Sequence, residues 1–300
     1  MEKPFIKWLG GKTQIIEDVI ERFPKKITNY HELFIGGGSV LLALLSKMET
    51  NEIEVTGKIY AYDVNPKLIE LYNDVKNNSE KLFKILSLYL KVYTECPNGE
   101  KGKNNRKPKT LKEAKSSKES YYYWKRDGFN KAQKSLQRSA MFIFLNKTCF
   151  RGVYREGPNG FNVPFGHYKS VPKIIDKNRL MKISKMFEKV EFICADFKES
   201  IKNCKPSDFV YMDPPYVKET EKSFTGYTKD GFNIEQHTNL FNGIKKLDKR
   251  NCKFLLSNSN VSFVNQTFEN FKIDIVEAKR AIHSKKASSS KTQEVLISNM

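Results

Sequence analysis

Seven short apolar runs, at about residues 30–35, 58–63, 190–195, 207–212, 252–257, 270–276 and 292–298, constrain this chain more than any other feature. Each has the length of a buried strand, and several of the stretches between them carry apolar residues at helical spacing. Strands alternating with helices fold as a sheet with helices on both faces, and such a sheet binds its ligands beyond the carboxyl ends of its strands. The expected fold class is therefore α/β, with a Rossmann-like seven-stranded sheet. The alternation breaks between the second and third runs, where helices and a hairpin pattern replace it. The expected organisation is a sheet domain formed by residues 1–75 and 190–300, with an inserted second domain over 76–189; a length of 300 residues suits that arrangement.

Two stretches stand apart in composition. Residues 97–119 are nearly devoid of apolar side chains and rich in Lys, and are expected to form a mobile surface loop. Lys279 to Lys291, also rich in Lys and Ser, joins the last two runs and has the composition to follow a phosphate backbone. Over the whole chain 53 Lys and Arg face 34 acidic residues, a net charge of +19 that favours a polyanionic partner, nucleic acid or an anionic membrane surface. Lysine bias from an AT-rich genome produces the same imbalance, so a motif has to decide between them.

No apolar run approaches the roughly 18 residues needed to span a bilayer, and the start, Met-Glu-Lys-Pro-Phe, lacks the apolar stretch of a secretory signal. A soluble intracellular protein without a membrane partner is expected. The five cysteines are scattered, with no Cys-x-x-Cys pair, and the chain has four histidines, so neither a disulfide framework nor a metal site is expected.

The run HELFI leads directly into Gly36-Gly37-Gly38-Ser39 and an apolar helix, a place where glycines let backbone approach a ligand closely. As a dinucleotide fingerprint the segment is defective, because Leu41 occupies the third glycine position. The next run ends in Asp63, where an acidic residue can receive the two hydroxyls of a ribose. An ordinary tight turn and a surface aspartate account for the same features. Near the N-terminus, Gly10-Gly11-Lys12-Thr13 mimics a phosphate loop but has Ile6 where that loop needs Gly, so nucleotide hydrolysis is a poor reading. Trp8 and Lys12 can instead offer an apolar wall and a cation for a carboxylate.

The run DFVYM delivers Asp213-Pro214-Pro215-Tyr216 at its carboxyl end. Adjacent prolines fix φ and leave carbonyls free of local donors. An aromatic amine such as adenine N6 is a poor nucleophile until both of its hydrogens have acceptors. The Asp213 carboxylate and the Pro214 carbonyl can accept one each while Tyr216 stacks on a flipped base. Direct in-line methyl transfer from S-adenosylmethionine is the chemistry this fits; a stiff turn after a strand is the plain alternative.

Taken together, PFIKWLGGK, LFIGGGSV, YDVN, LNKTCFRGVYREGPNGFNVPFGHY, DFVYMDPPY and LLSNS, in that order, closely resemble the Dam-type, alpha-class adenine-specific DNA methyltransferases. The resemblance implies a methyltransferase sheet, S-adenosylmethionine as cofactor, double-stranded DNA as partner, and an insert that serves as target-recognition domain. It places Trp8, Lys12, Asp63 and Asp213 in the cofactor pocket, with Phe34 and Asp196 beside the adenosine, and the glycine turn adds Gly36 and Gly38 to the expected cofactor-binding set. Phe34 is equally suited to core packing.

By the same resemblance, Phe150 to Tyr168 is the DNA-reading hairpin. Arg155 matches a base-contacting arginine, as suits guanine's two major-groove acceptors. Lys7 matches a lysine that contacts the target site. The chain departs from GATC-reading relatives at Phe150, where they often carry Tyr, and at Arg151, where they commonly carry Asn, so a GATC or a CATG site is expected. Contacts of Arg151 and Arg155 to phosphates alone are the plainer reading. A cognate restriction endonuclease is a possible partner, and the oligomeric state is unknown. The rivals are the same chemistry on cytosine N4 or on RNA, disfavoured by Asp rather than Ser before Pro-Pro, and a nucleic-acid-binding protein that has lost catalysis.

Overall fold

A computed structural model describes residues 1–100, 104–168, 170, 172–217, 232–279 and 291–300. The chain parts into two compact units, one of Met1–Lys3, Lys12–Asn65 and Lys189–Met300, the other of Pro4–Gly11 and Pro66–Glu188. Among the described residues the helices are α1 (Ile16–Glu21), α2 (Ser39–Glu49), α3 (Pro66–Glu95), α4 (Leu111–Ala114), α5 (Lys118–Lys131), α6 (Leu136–Thr148), α7 (Lys177–Phe187), α8 (Phe197–Asn203), α9 (Ile234–Lys249) and α10 (Ser262–Thr267).

The first unit is built on a seven-stranded sheet of β1 (Tyr30–Glu32), β2 (Ile59–Asp63), β3 (Val190–Cys194), β4 (Phe209–Met212), β5 (Lys253–Ser259), β6 (Lys272–Lys279) and β7 (Lys291–Ser298). All seven expected strands are present. Their order is β6-β7-β5-β4-β1-β2-β3. β5, β4, β1, β2 and β3 run parallel, while β7 lies antiparallel to both β5 and β6. From β1 the chain winds outward through β2 to β3, and from β4 it winds the other way to β5. The switch point, where an open α/β sheet opens a crevice for ligands, therefore lies between the carboxyl ends of β1 and β4.

The core explains why these runs became strands. β4 is buried along its whole length, as a central parallel strand covered on both faces must be. Its Val210 and Met212 join Phe254 and Leu256 of β5 and Leu240, Ile244 and Leu247 of α9 in one apolar cluster. Each such side chain, fully buried, contributes about 2 kcal/mol. The α9 residues recur at three- and four-residue spacing, and a capping box between Asn233 and Gln236 starts that helix.

The second unit is helical, with α3 against α6 and α7 and a core rich in Tyr and Phe. Its limits differ from the expected 76–189. α3 begins at Pro66, so a boundary at 75 would cut a helix in its first third. Pro4–Gly11 also belongs here rather than with the sheet. Lys7 exchanges two hydrogen bonds with the side chain of Asn146, each 2.8 Å, and Phe5 packs edge-on against Tyr72 and Phe187.

Residues 104–119 are not the loop expected from their composition. Thr110 caps α4 and Ser117 caps α5, and Glu119, only 1% exposed, accepts from Asn104 Nδ2 at 3.0 Å and Arg106 Nε at 2.8 Å. Polar side chains that satisfy helix ends and one another order a segment that lacks apolar anchors. The Lys279 to Lys291 stretch falls largely at residues 280–290, outside the described residues.

Candidate active site

Beyond Glu32 the chain keeps to the line of β1. The Leu33 N–H donates to the Tyr211 carbonyl of β4 at 3.1 Å, and the Ile35 N–H to the Tyr62 carbonyl of β2 at 2.8 Å. The glycine turn follows. Gly36 and Gly38 have φ of 46° and 72°, the left-handed region where glycine alone escapes a steric cost, and Gly38 caps α2. At the end of β2, Asp63 Oδ2 accepts the Gly36 N–H at 3.1 Å and Oδ1 accepts the Asn65 N–H at 2.9 Å. Burial raises the Asp63 carboxyl above its ordinary range, against the lowering effect of these backbone donors.

Phe34 lies in a half-buried aromatic group, 6.1 Å from Phe197 and 6.0 Å from Phe232 between ring centroids. Val64, next to Asp63, is an exposed apolar residue. Asp196 follows β3 and caps α8, its Oδ1 accepting the Lys198 N–H at 2.7 Å. A carboxylate ringed by backbone donors, an aromatic group, a free-standing valine and a glycine turn sit at neighbouring strand ends. That donor set fits an adenosine: acceptors for hydroxyls, apolar surface for a purine face, and backbone that tolerates close approach.

Across the switch point, β4 delivers Asp213. Its Oδ2 lies 2.8 Å from Lys12 Nζ, and the pair is sequestered, with side-chain exposures of 18% and 4% respectively. Burial pushes the Asp213 carboxyl up and Lys12 pulls it back, leaving it above the ordinary range. Lys12 is anchored in turn, since its N–H donates to Ser39 Oγ at 3.1 Å at the start of α2. The same ammonium stands 4.8 Å from the ring centroid of Tyr216. Pro214 is buried and Pro215 exposed.

Several polar groups here were not anticipated. Glu32 is buried beside the loop, accepts Tyr30 Oη–H at 2.8 Å, and has its carboxyl pushed up by burial to about 8. Tyr216 Oη donates to Glu294 Oε2 at 2.7 Å. The Val217 N–H donates to Asn258 Oδ1 at 3.2 Å. LLSNS, the motif that holds Asn258, was visible in the sequence; Glu294 had no local signal.

In the second unit, the chain from Phe150 to Tyr168 forms a short helical turn and then a minimal hairpin, with Glu156–Gly157 paired to Gly160–Phe161. A bridge between Cys149 and Phe165 closes its base. Phe150 is 49% exposed, and the Arg151 guanidinium stands 5.1 Å from its ring centroid. Arg155 is exposed, and its Nε donates to Asn162 Oδ1 at 2.7 Å. Lys7 Nζ lies 5.2 Å from the ring centroid of Tyr168. Trp8 belongs to this unit, stacked on Tyr154 with centroids 5.5 Å apart, and Tyr154 stacks in turn on Phe142 at 4.9 Å. The site residues thus fall into two groups: glycine turn, Asp63, Asp196, Lys12 and the loop after β4 in one unit, Lys7, Trp8 and the hairpin in the other.

Among the described residues no three His, Cys, Asp or Glu side chains are grouped to hold a metal, and no helix is long and apolar enough to cross a membrane.

The sheet unit is an α/β fold whose switch point brings together strand ends with residues suited to an adenosine and a half-buried carboxylate on a proline-stiffened loop. Comparison with known proteins makes this specific. The pattern of the D12 class of N6 adenine-specific DNA methyltransferases matches residues 8–282. The chain is 40% identical over 294 residues to the type II methyltransferase M.MjaIII of Methanocaldococcus jannaschii, covering 94% of this chain and 93% of that relative. It is 31% identical to the type II methyltransferase M1.LlaDCHI of Lactococcus lactis subsp. cremoris, over 99% and 95% of the two chains. It is also 27% identical to the DNA adenine methylase of Escherichia coli K12, over 98% and 94%. The chain belongs to the D12 class of N6 adenine-specific DNA methyltransferases, with S-adenosylmethionine as methyl donor and DNA as substrate.

Proposed function

We infer that Asp213, Pro214, Pro215 and Tyr216 carry the transfer of a methyl group to adenine N6 in a short DNA site, on a base flipped out of the duplex. The observation that carries this is the Lys12–Asp213 pair at the sheet's switch point, a carboxylate 2.8 Å from an ammonium, beside strand ends whose residues fit an adenosine. S-adenosylmethionine supplies an electrophilic methyl group on its sulfonium.

The chain's own residues prepare the nucleophile. Asp213 accepts one N6 hydrogen and the Pro214 carbonyl the other, which localises the nitrogen lone pair, while Tyr216 offers its ring to the base. Gly36, Gly38, Asp63, Phe34 and Asp196 would hold the cofactor, together with Lys12 and Asp213. For Phe34 the aromatic contacts support core packing and ligand contact together. Trp8, expected in the same set, is engaged with Tyr154 in the other unit, and this reading does not depend on it.

The unit of Pro4–Gly11 and Pro66–Glu188 reads the DNA through Lys7, Phe150, Arg151 and Arg155. Three of these four are exposed side chains on one short hairpin, and a guanidinium can match two acceptors on guanine. The site is of the GATC or CATG class. The names of the relatives in M. jannaschii and L. lactis support a place in a restriction–modification pair, with an endonuclease that cuts the same site.

Incubation with labelled S-adenosylmethionine and unmethylated DNA, digestion to nucleosides and identification of the labelled product is the test. Labelled 6-methyladenine is expected; label only on cytosine, or none, overturns the reading. Sequencing the methylated DNA then distinguishes GATC from CATG.

A further inference from the structure

The loop after β4 is gripped at Tyr216 and Val217 by residues that nothing in the chemistry above employs. Tyr216 Oη donates to Glu294 Oε2 at 2.7 Å. The next residue, Val217, is bonded through both of its backbone polar atoms: its N–H donates to Asn258 Oδ1 at 3.2 Å, and its carbonyl accepts Ser259 Oγ–H at 2.6 Å. Glu294 lies on β7 and Ser259 on β5, and the antiparallel register sets these two directly opposite each other. One cross-strand pair therefore holds two consecutive loop residues, Glu294 by the side chain and Ser259 by the backbone.

Asn258 is fully buried, and its Nδ2 has no hydrogen-bond partner among the described residues. An unsatisfied buried donor is costly, and an apolar residue there would avoid the cost. What the side chain provides in return is Oδ1, which accepts from Val217 and from the Ser259 N–H at 2.9 Å. Lys12 adds to the grip, 2.8 Å from Asp213 and over the Tyr216 ring.

We propose that Glu294, Ser259 and Asn258 are positioning residues for methyl transfer, a clamp that fixes the ring plane of Tyr216 and the path of the loop so that Asp213 and the Pro214 carbonyl meet the amino group in one geometry. The proposal rests on the role given to the loop above. Glu294 acts through the Tyr216 hydroxyl. Small errors in the placement of acceptors cost rate rather than affinity, so the clamp affects kcat more than KM.

A double-mutant cycle tests it, with kcat and KM for DNA measured for wild type, Glu294→Ala, Tyr216→Phe and the double variant, and folding followed by thermal melting. Loss of the hydrogen bond in Glu294→Ala is expected to lower kcat about tenfold with KM changed less than about twofold, and Glu294→Gln, which keeps an acceptor, to restore most of it. In the Tyr216→Phe background the alanine substitution is expected to have almost no further effect. Wild-type kcat in Glu294→Ala, or equal losses with and without the tyrosine hydroxyl, overturns the proposal.

Ser259→Ala against Ser259→Thr gives a second, independent comparison should the alanine variant at 294 not fold. The alanine is expected to lose kcat several-fold and the threonine to keep it; equal activity of the two overturns the clamp. Failure of wild type itself to make 6-methyladenine overturns the loop's role and the clamp with it, and is distinguishable from the other outcomes because it appears before any substitution.

Discussion

The loop after β4 and the hairpin from Phe150 to Tyr168 hold the side chains proposed for chemistry and for DNA in different ways. In the loop every one of these groups already has a partner: Asp213 has Lys12, Tyr216 has Glu294, Val217 has Asn258 and Ser259. In the hairpin the side chains are exposed and such partners as they have lie at the surface too, as Asn162 does for Arg155 at 2.7 Å. Phe150 and Arg155 are exposed, and Arg151 rests its guanidinium over the Phe150 ring. Chemistry at a poor nucleophile requires acceptors that do not reorganise as charge develops, and burial among partners provides that. Reading bases requires groups that exchange water for base edges, and exposure provides that.

The sharpest way to break this division is Asp213→Ala. It is expected to reduce methyl transfer by at least about a thousandfold, as removal of a central transition-state contact does, while DNA affinity measured by fluorescence anisotropy stays near wild type. A variant that loses DNA binding instead would show that the loop also grips the substrate.

Arg155→Ala probes the other side. Loss of a bidentate base contact costs about 1–3 kcal/mol of discrimination. Affinity for the cognate site is therefore expected to fall, with preference relaxed at one position and kcat at saturating DNA preserved. Uniform weakening across all sequences would place this arginine on phosphate and leave base reading to its neighbours.

A smaller effect concerns the pH profile. Asp213 must be ionised to accept a hydrogen, and burial already raises it above the ordinary carboxylate range while Lys12 opposes that shift. Lys12→Met removes the opposing charge, so the acid limb of kcat is expected to move to higher pH. An unmoved limb would show that another group sets it. The smallest expected effect is at Arg151, whose φ of 57° lies in the left-handed region that Asn adopts more readily. Arg151→Asn is expected to raise stability by up to about 1 kcal/mol, read as a higher melting temperature, at the expense of whatever Arg151 contributes to DNA affinity.

Much of this protein was legible in the linear sequence. The strand expected over 207–212 appears as Phe209–Met212, because a central parallel strand needs a continuous apolar run and little else does. The glycine turn and the Asp-Pro-Pro-Tyr loop were legible for a related reason: each depends on backbone that particular residue types alone permit. Residues 104–119 were misjudged, since helix caps and the buried Glu119 order them through polar contacts that apolar periodicity does not register. Pro4–Gly11 was assigned to the sheet domain, and the Asn146 side chain that ties it to the second unit is far away along the chain.

The sequence by itself determined the class of sheet, the glycine turn, the Asp-Pro-Pro-Tyr loop and the family, all of which rest on local pattern and on motif order. Tertiary structure alone decided that Lys12 neutralises Asp213 and that Glu294 stands opposite Ser259 to hold Tyr216. Those pairings follow from strand order and register, and a residue's own neighbours in sequence carry no information about which strand will lie beside it.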